Sequence, residues 1–283
     1  MVNDVAMYNG MTEAQLLVAM GVAPEIQSSG NRFPLLKINY EDEDAEGNTL
    51  RKGTFSYPTE QGTVYCKSAK LRAFADYLQY LDYDPEQNSV VNKTIIHRPG
   101  DEPIDEKGGI RCGKPASKAL REMDDDQKKL YKNITCFRYL FGKVTLVDAK
   151  TSDGTSVTVE DAPCLFRIKG ASFLTFSDQV LEPCRNQKVK FPQVVNDLNT
   201  ERHKKGTVTY FTASFTPDFS NILQLQVHDM EFMSMILDIV NAENTQVIAK
   251  YNEALRNKQT STHDSAIVDE VESYLDADFE EVS

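Results

Sequence analysis

Aromatic rings and cations are interspersed along two strand-like runs in the middle of the chain, an arrangement that could bind a ligand by stacking and by ion pairing. The runs lie between Ile134 and Gly170 and flank a polar turn at Lys150–Ser156. A period of two residues divides each run between two faces. In the first run, Phe137, Tyr139 and Phe141 alternate with Cys136, Arg138 and Leu140. In the second run, Cys164, Phe166 and Ile168 alternate with Leu165, Arg167 and Lys169.

A sheet with rings and cations at this density is suited to holding single-stranded nucleic acid. Bases stack on rings at roughly 1–3 kcal/mol per base, while Lys and Arg meet the phosphates. The simpler interpretation is that the rings form a core and the cations are solvated edges, because aromatic residues are ordinary strand formers. For this hairpin taken alone, both interpretations stay open.

The nucleic-acid hypothesis names two kinds of site residue. Tyr139 and Tyr210 would stack on bases, and we favour Tyr over Phe because a hydroxyl tolerates the wet surface of a groove. The cations expected to follow the phosphate backbone are Arg138, Lys143, Arg167, Lys169, Lys188, Lys190, Lys204 and Lys205.

Formal charge is distributed unevenly along the 283 residues. The total is −12, but residues 264–283 hold eight Asp or Glu and no Lys or Arg, so the rest of the chain carries −4. Residues 107–150 contain eleven Lys or Arg against five Asp or Glu, and residues 163–210 contain eight against four. The total charge argues against a polyanionic partner, whereas the basic middle is compatible with one.

The sequence contains no recognisable catalytic motif. It has no Walker phosphate loop, no dinucleotide-binding glycine pattern and no G-x-S-x-G nucleophile elbow. The four histidines do not stand in an HExxH or C-x-x-C frame. We therefore expect a protein that is not an enzyme and needs no cofactor.

Two kinds of metal site are alternatives. The residues Cys66, His97, Cys112 and Cys136 could bind zinc only if the fold gathers them, and a buried free Cys usually acts as a small apolar residue. The acid clusters Glu41–Asp44 and Asp124–Asp126 offer oxygen ligands for Mg²⁺, although consecutive acids in loops are mostly solvated. A metal-dependent nuclease is thus one rival function, and a phage structural or assembly protein with protein-binding sheets is another.

Periodicity predicts a mainly β protein with a C-terminal helix. Residues 70–83 also fit a helical face, but alternation groups Ala73, Ala75 and Tyr77 and favours a strand. The other strand candidates are Phe33–Tyr40, the segments around Phe55, Tyr57 and Tyr65, Val90–His97, the two central runs, Lys204–Thr216 and Asn221–His228. The helix candidates are Thr12–Met20, Lys118–Asn133, Ser172–Val180 and Asp229–Asn257, and Phe191–Thr200 is predicted as a connection.

The order of these elements favours one architecture among three. Strand, strand, short helix, strand, strand is the order of a small Greek-key barrel of the oligonucleotide-binding type, here with long insertions. A β-sandwich and an unrelated α+β sheet fit the same order. The predicted organisation is an N-terminal helical arm (1–30), the barrel-like core with its C-terminal helix (31–257) and a flexible acidic tail (258–283).

Five segments resemble phage-encoded single-stranded DNA-binding proteins found beside replication genes. They read RFPLLKINYEDED, KGTFSYPTEQGTVYCKSAKLRAF, GGIRCGKP, TCFRYLFGKVTL and PCLFRIKGASFLTF. As a pattern of strands and loops, the resemblance covers roughly Arg32–Phe215. The resemblance implies a decorated oligonucleotide-binding barrel that coats single-stranded DNA during phage replication or recombination. Some relatives carry further cysteines near GGIRCGKP, whereas Pro115–Ser117 follows here, so a metal knuckle is not expected.

The acidic tail fits the same family, whose members often end in a flexible acidic segment with embedded hydrophobic residues. It would cover the basic groove or recruit replication proteins such as a polymerase, helicase or primase; a plain solubility tail is the alternative. The chain does not end on Phe279, which departs from tails recognised through a terminal carboxylate. The residues expected to bind the partner are Tyr274, Leu275, Asp276, Asp278, Phe279 and Glu280.

Location follows from what the chain lacks and from the resemblance. No apolar run approaches the ~20 residues of a membrane helix, the N-terminus has no signal pattern, and the five irregularly spaced cysteines fit reduced thiols. We expect no membrane partner and a location in the cytoplasm of the infected bacterial host. A homo-oligomer is left open.

Overall fold

Residues 33–277, apart from residue 45, are described by the computed structural model, with side chains as far as Lys258. Its strands are β1 (Leu35–Ile38), β2 (Phe55–Thr59), β3 (Gly62–Cys66), β4 (Ser68–Asp84), β5 (Ser89–Lys93), β6 (Ile134–Val147), β7 (Lys150–Thr151), β8 (Ala162–Ile168), β9 (Asn196–Lys205) and β10 (Val208–Pro217). Its α-helices are α1 (Ser117–Glu122), α2 (Asp125–Lys129), α3 (Glu182–Asn186) and α4 (Val227–Ala277), and a π-helical turn, Ser177–Leu181, precedes α3. The predicted arm at residues 1–30, with its helix Thr12–Met20, lies outside the described residues.

Within the described part of the chain, the strands form one mixed sheet. Its order is β10-β9-β4-β6-β8-β1-β2-β3-β7, and β5 also pairs with β4. Neighbours are antiparallel except for β1 and β8, which run parallel. The mainly β architecture with a C-terminal helix is therefore confirmed. The strand order is an open path with two ends, so the structure does not show the closed barrel that the sequence led us to expect.

Side chains cover the outer edge of β10, where a closed barrel would have another strand. The Tyr40 hydroxyl donates to the carbonyl of Phe211 at 2.9 Å. The backbone N–H of Ala213 donates to Ser172 Oγ at 3.0 Å, and that of Phe215 donates to Gln179 Oε1 at 2.7 Å. Exposed strand edges are sites of unwanted pairing, and these contacts protect much of the β10 edge.

A hydrophobic core lies on each face of the sheet. The first core packs buried sheet residues such as Leu36, Leu140 and Phe166 against the helical segment at residues 170–194. The second core packs Phe33, Phe74 and Phe141 against α4. Helix α4 contributes Phe232, Ile236 and Val240, whose i, i+4, i+8 spacing places them on one face.

A β-bulge in β4 changes which residues face which core. The register against β6 shifts between Ala73 and Ala75, so Phe74 has no opposite residue. Ala73 belongs to the first core, whereas Ala75 and Tyr77 pack against the second. The sequence correctly predicted a strand at residues 70–83, but grouping Ala73 with Ala75 and Tyr77 was wrong, because an extra residue reverses the alternation.

Three other predicted boundaries need correction. The predicted connection at Phe191–Thr200 contains the first half of β9, whose sequence NDLNTERHKK has one apolar residue and hence almost no periodic signal. The predicted strand at Asn221–His228 is a loop as far as Gln226, and its last two residues begin α4. Helix α4 extends to Ala277, beyond the predicted end at Asn257. The tail predicted for residues 258–283 therefore lies in this helix as far as Ala277, and its flexibility stays a prediction.

Candidate nucleic-acid interface

A groove of about 370 Å³ opens between the β1–β8 pair and β10. Cations and rings line it: Lys37, Arg167 and Lys169, with Tyr40, Phe137, Tyr210 and Phe211. Three of the predicted site residues, Arg167, Lys169 and Tyr210, are thus brought together from segments about 40 residues apart.

Strand pairing aligns the cations along one wall of the groove. Strands β1 and β8 are parallel, with Leu35 opposite Leu165 and Leu36 opposite Phe166. The next residues, Lys37 and Arg167, are consequently neighbours on the face opposite the buried Leu36. Both side chains are exposed, as is Lys169 two residues further along.

The cations of this wall rest on rings rather than on carboxylates. The Arg167 guanidinium lies 5.7 Å from the centroid of the Phe137 ring, and the Lys169 ammonium lies 5.2 Å from it. Such cation–π contacts contribute about 0.5–1 kcal/mol at exposed sites. Among the described residues, no carboxylate forms an ion pair with Lys37, Arg167 or Lys169. Their charges are therefore available to an anionic ligand.

The opposite wall is aromatic and held in place by the loop between β1 and β2. Tyr40, which is 50% exposed, packs edge-to-face on Phe211 at 5.9 Å. Gly53 has a φ of +77°, and a Cβ there would lie 2.4 Å from the Phe211 ring, so this position requires glycine. Tyr210 stacks on His203 at 5.1 Å. These rings are half-buried or exposed, so part of each ring surface is free to stack on the ring of a ligand.

Two predicted site residues on β6 are buried and do not contribute to the groove. Arg138 is 3% exposed, and its guanidinium pairs with Asp76 through two bonds of 2.7 and 2.6 Å. It also donates to Ser177 Oγ at 2.6 Å. Tyr139 is 5% exposed and donates to Gln79 Oε1 at 2.7 Å, and burial raises the pKa of its hydroxyl. The assignment of Arg138 and Tyr139 to a DNA-binding surface is corrected, because both side chains are buried and bonded within the protein.

The remaining predicted residues lie outside the groove lining. Lys143 forms an ion pair of 3.0 Å with Asp161 and sits 5.4 Å from the Phe232 ring. Lys188, Lys190, Lys204 and Lys205 are exposed. The tail residues Tyr274, Leu275, Asp276, Asp278, Phe279 and Glu280 lie beyond the side chains that the structure describes.

Sequence reasoning did not single out Lys37, Tyr40 or Phe211 for this site. The segment FPLLKINY was predicted as a strand, and alternation does place Lys37 opposite the apolar Leu36. The sequence of this segment does not indicate that the strand pairs in parallel with β8, because the two strands are about 130 residues apart. Pairing of that kind depends on the whole fold.

Metal-ligating residues do not gather in the described part of the chain. No three His, Cys, Asp or Glu side chains there come close enough to hold a metal ion. The five cysteines are free, and burial raises the pKa of Cys66 and Cys112 to about 12. His97 is buried, and its pKa is lowered by that burial. Thiols with such pKa values are protonated at neutral pH and pack as small apolar groups.

Neither a search for membrane-spanning helices in the part of the chain that the structure describes nor comparisons with known proteins gave a match. No helix among the described residues is long and apolar enough to cross a membrane. The chain matches no model of a protein family, no curated protein and no solved structure.

Proposed function

We propose that the groove binds single-stranded DNA without sequence preference. The observation that carries the proposal is the meeting of three cations, each without a carboxylate partner among the described residues, with four accessible rings. Single-strand-binding proteins combine a positive groove with aromatic platforms, since every base has a π-face and every nucleotide a phosphate. Lys37, Arg167 and Lys169 contact phosphates, and Tyr40 and Tyr210 stack on bases.

The biological role in this proposal is to coat DNA during phage replication or recombination. The family resemblance of residues 32–215 supports it, and so does a groove lined by strands and adjoining loops, the part of the sheet that oligonucleotide-binding folds use for their ligand. The proposal places the protein in the cytoplasm of the infected bacterial host, in contact with a polymerase, helicase or primase. It assigns no catalytic step and no cofactor to the chain.

The test is a fluorescence-anisotropy titration of labelled oligo-dT at several salt concentrations. We expect log K to fall linearly with log[salt], with a slope of about −0.7 for each phosphate contact on a single strand. Lys37→Ala and Lys169→Ala should each make that slope shallower by about one contact. Tyr210→Ala should weaken binding at every salt concentration without changing the slope, because stacking releases no counterions.

Two exposed cations on α1 provide a matched control. Lys118→Ala and Arg121→Ala each remove one charge from a helix that contributes nothing to the groove lining, and oligo-dT affinity should not change. A salt-independent affinity, or tighter binding to blunt duplex than to oligo-dT, would contradict the proposal. Absence of binding at any salt concentration would favour the phage structural or assembly protein instead.

A further inference from the structure

The β9–β10 hairpin extends beyond the rest of the sheet. Strand β9 pairs with β4 only at residues 196–198, whereas β9 and β10 pair with each other along their whole length. From Glu201 to Tyr210 the hairpin is a two-stranded ribbon, and it turns at Gly206, whose φ is +62°. We call residues 201–210 the ribbon.

The base of the ribbon is fixed against the groove. The Tyr40 hydroxyl donates a hydrogen bond to the carbonyl of Phe211, and the Thr200 hydroxyl donates one to the carbonyl of Gly53. Tyr210 ends the ribbon, and together with its neighbour Phe211 it lines the groove. Whatever the ribbon binds therefore lies directly beside the groove's ligand.

Apart from His203 and Tyr210, which stack on each other near the base, the ribbon carries cations but no aromatic ring. Arg202, Lys204 and Lys205 are exposed, and none of them forms an ion pair with a described residue. Alternation places Arg202 and Lys204 on one face and Lys205 on the other. Val208, opposite Lys205, is 62% exposed. The one acid, Glu201, lies at the base, 3.9 Å from His203.

The groove is lined by rings and cations, whereas the ribbon carries mainly cations, and the two surfaces therefore suit different forms of DNA. Unpaired bases need rings on which to stack, and the groove supplies them. In a duplex the bases stack on each other and the protein meets mainly phosphates, for which cations on both faces suffice. A two-stranded β-ribbon also fits the major groove, which is about 12 Å wide.

We propose that the ribbon binds the duplex side of a junction between single-stranded and double-stranded DNA, while the groove holds the emerging single strand. The inference rests on the proposed function of the groove and adds a second surface with its own ligand. The protein would then be positioned at the ends of coated regions, where a strand leaves the duplex.

The experiment compares three DNAs by anisotropy: an oligo-dT strand, a blunt duplex, and a partial duplex whose overhang is that same oligo-dT. Full-length protein should bind the partial duplex more tightly than either other DNA. In Lys204→Ala/Lys205→Ala this advantage should be lost, and the salt slope on the partial duplex should become shallower by about two. Oligo-dT affinity should stay the same in that variant.

A charge-matched variant, Lys118→Ala/Arg121→Ala, should retain the junction advantage. Equal affinity of the wild-type protein for the partial duplex and for oligo-dT would overturn the inference. So would an equal loss on oligo-dT in the ribbon variant, because the ribbon would then belong to the single-strand path. Failure of the proposed function looks different: wild-type protein would show no salt-dependent affinity for oligo-dT, whatever the ribbon does.

Discussion

At the scale of single residues, burial separates cations that look equivalent in the sequence. Arg138 and Arg167 lie on paired strands, in similar patterns of rings and apolar residues. The Arg167 side chain points to the face with Phe137 and remains exposed, whereas Arg138 points to the opposite face and enters the protein. There it joins Asp76 to the segment before α3 through Ser177 and the carbonyl of Phe173. Arg138 thus has a structural role and Arg167 a surface one.

Replacing Arg138 should therefore affect stability rather than DNA binding. Arg138→Ala leaves the Asp76 carboxylate buried without its partner, and removal of one member of a buried pair typically costs 3–5 kcal/mol. Arg167→Ala, at an exposed position, should change the free energy of unfolding by about 0.5 kcal/mol or less. Urea unfolding of the two variants measures this difference. If Arg138→Ala changed the free energy of unfolding only slightly and weakened oligo-dT binding, Arg138 would have to be assigned to the DNA-binding surface after all.

At the scale of elements, a second buried ion pair holds the start of α4 against the sheet. Arg72 on β4 meets Asp229 through bonds of 3.0 and 2.8 Å, and Asp229 is fully buried. The same carboxylate accepts the backbone N–H of Gln226 at 2.9 Å, and Arg72 also donates to the carbonyl of Pro192. Further along the helix, Asn244 exchanges two hydrogen bonds with the backbone of Ile96. Helix α4 is thus fixed to β4 through Asp229 and to the segment after β5 through Asn244.

The anchor of α4 should weaken in acid. Burial opposes ionisation of Asp229, but the Gln226 N–H and the Arg72 guanidinium outweigh it, so the pKa of Asp229 is lowered. A carboxyl whose folded pKa lies below the unfolded value of about 3.9 stabilises the fold above that pH. The stabilisation is lost as pH falls through the folded pKa.

Asp229→Asn should consequently be less stable at neutral pH and should lose less stability between about pH 5 and pH 3. Urea unfolding across that range checks both effects. Asp218→Asn is the control, because Asp218 is an exposed carboxyl whose pKa is lowered chiefly by hydrogen bonds from Ser220 and not by a buried ion pair. Parallel acid profiles for wild type and Asp229→Asn would contradict the role given to this pair.

The elements also show which parts of the fold the sequence could predict. The β6–β8 pair and the apolar face of α4 follow from clear periodicity, and both are present. The strand at β4 is also present, although its pattern fitted a helical face as well. Strand β9 was half missed, since its pairing partners rather than its own side chains hold it in the sheet. The groove was found only in part, because it needs the parallel β1–β8 pairing and the approach of Phe211 to Gly53. These are contacts between distant segments, on which local patterns carry no information.

At the scale of the whole molecule, charge is divided between a basic surface and an acidic end. The groove and the ribbon together expose Lys37, Arg167, Lys169, Arg202, Lys204 and Lys205. Residues 264–283 carry eight acids and no Lys or Arg. A segment tethered to the molecule whose surface it attracts acts at an effective concentration on the order of mM. We therefore predict that the acidic end competes with DNA for these cations, which requires the last turns of α4, up to Ala277, to unwind so that the segment can reach them.

Truncation after His263 should tighten DNA binding. It changes the formal charge from −12 to −4 and removes the competitor, so the gain in oligo-dT affinity should be largest at low salt. The gain should shrink as salt screens both the tail and the DNA, with a Debye length of about 8 Å at physiological ionic strength.

Phe279→Ala, which keeps every charge, should leave DNA affinity unchanged while weakening recruitment of a replication protein. A solubility tail predicts a different outcome: the truncated protein would aggregate faster and bind oligo-dT as the full chain does. Anisotropy titrations of both proteins at two salt concentrations distinguish the cases, and equal affinities at low salt would exclude competition by the tail.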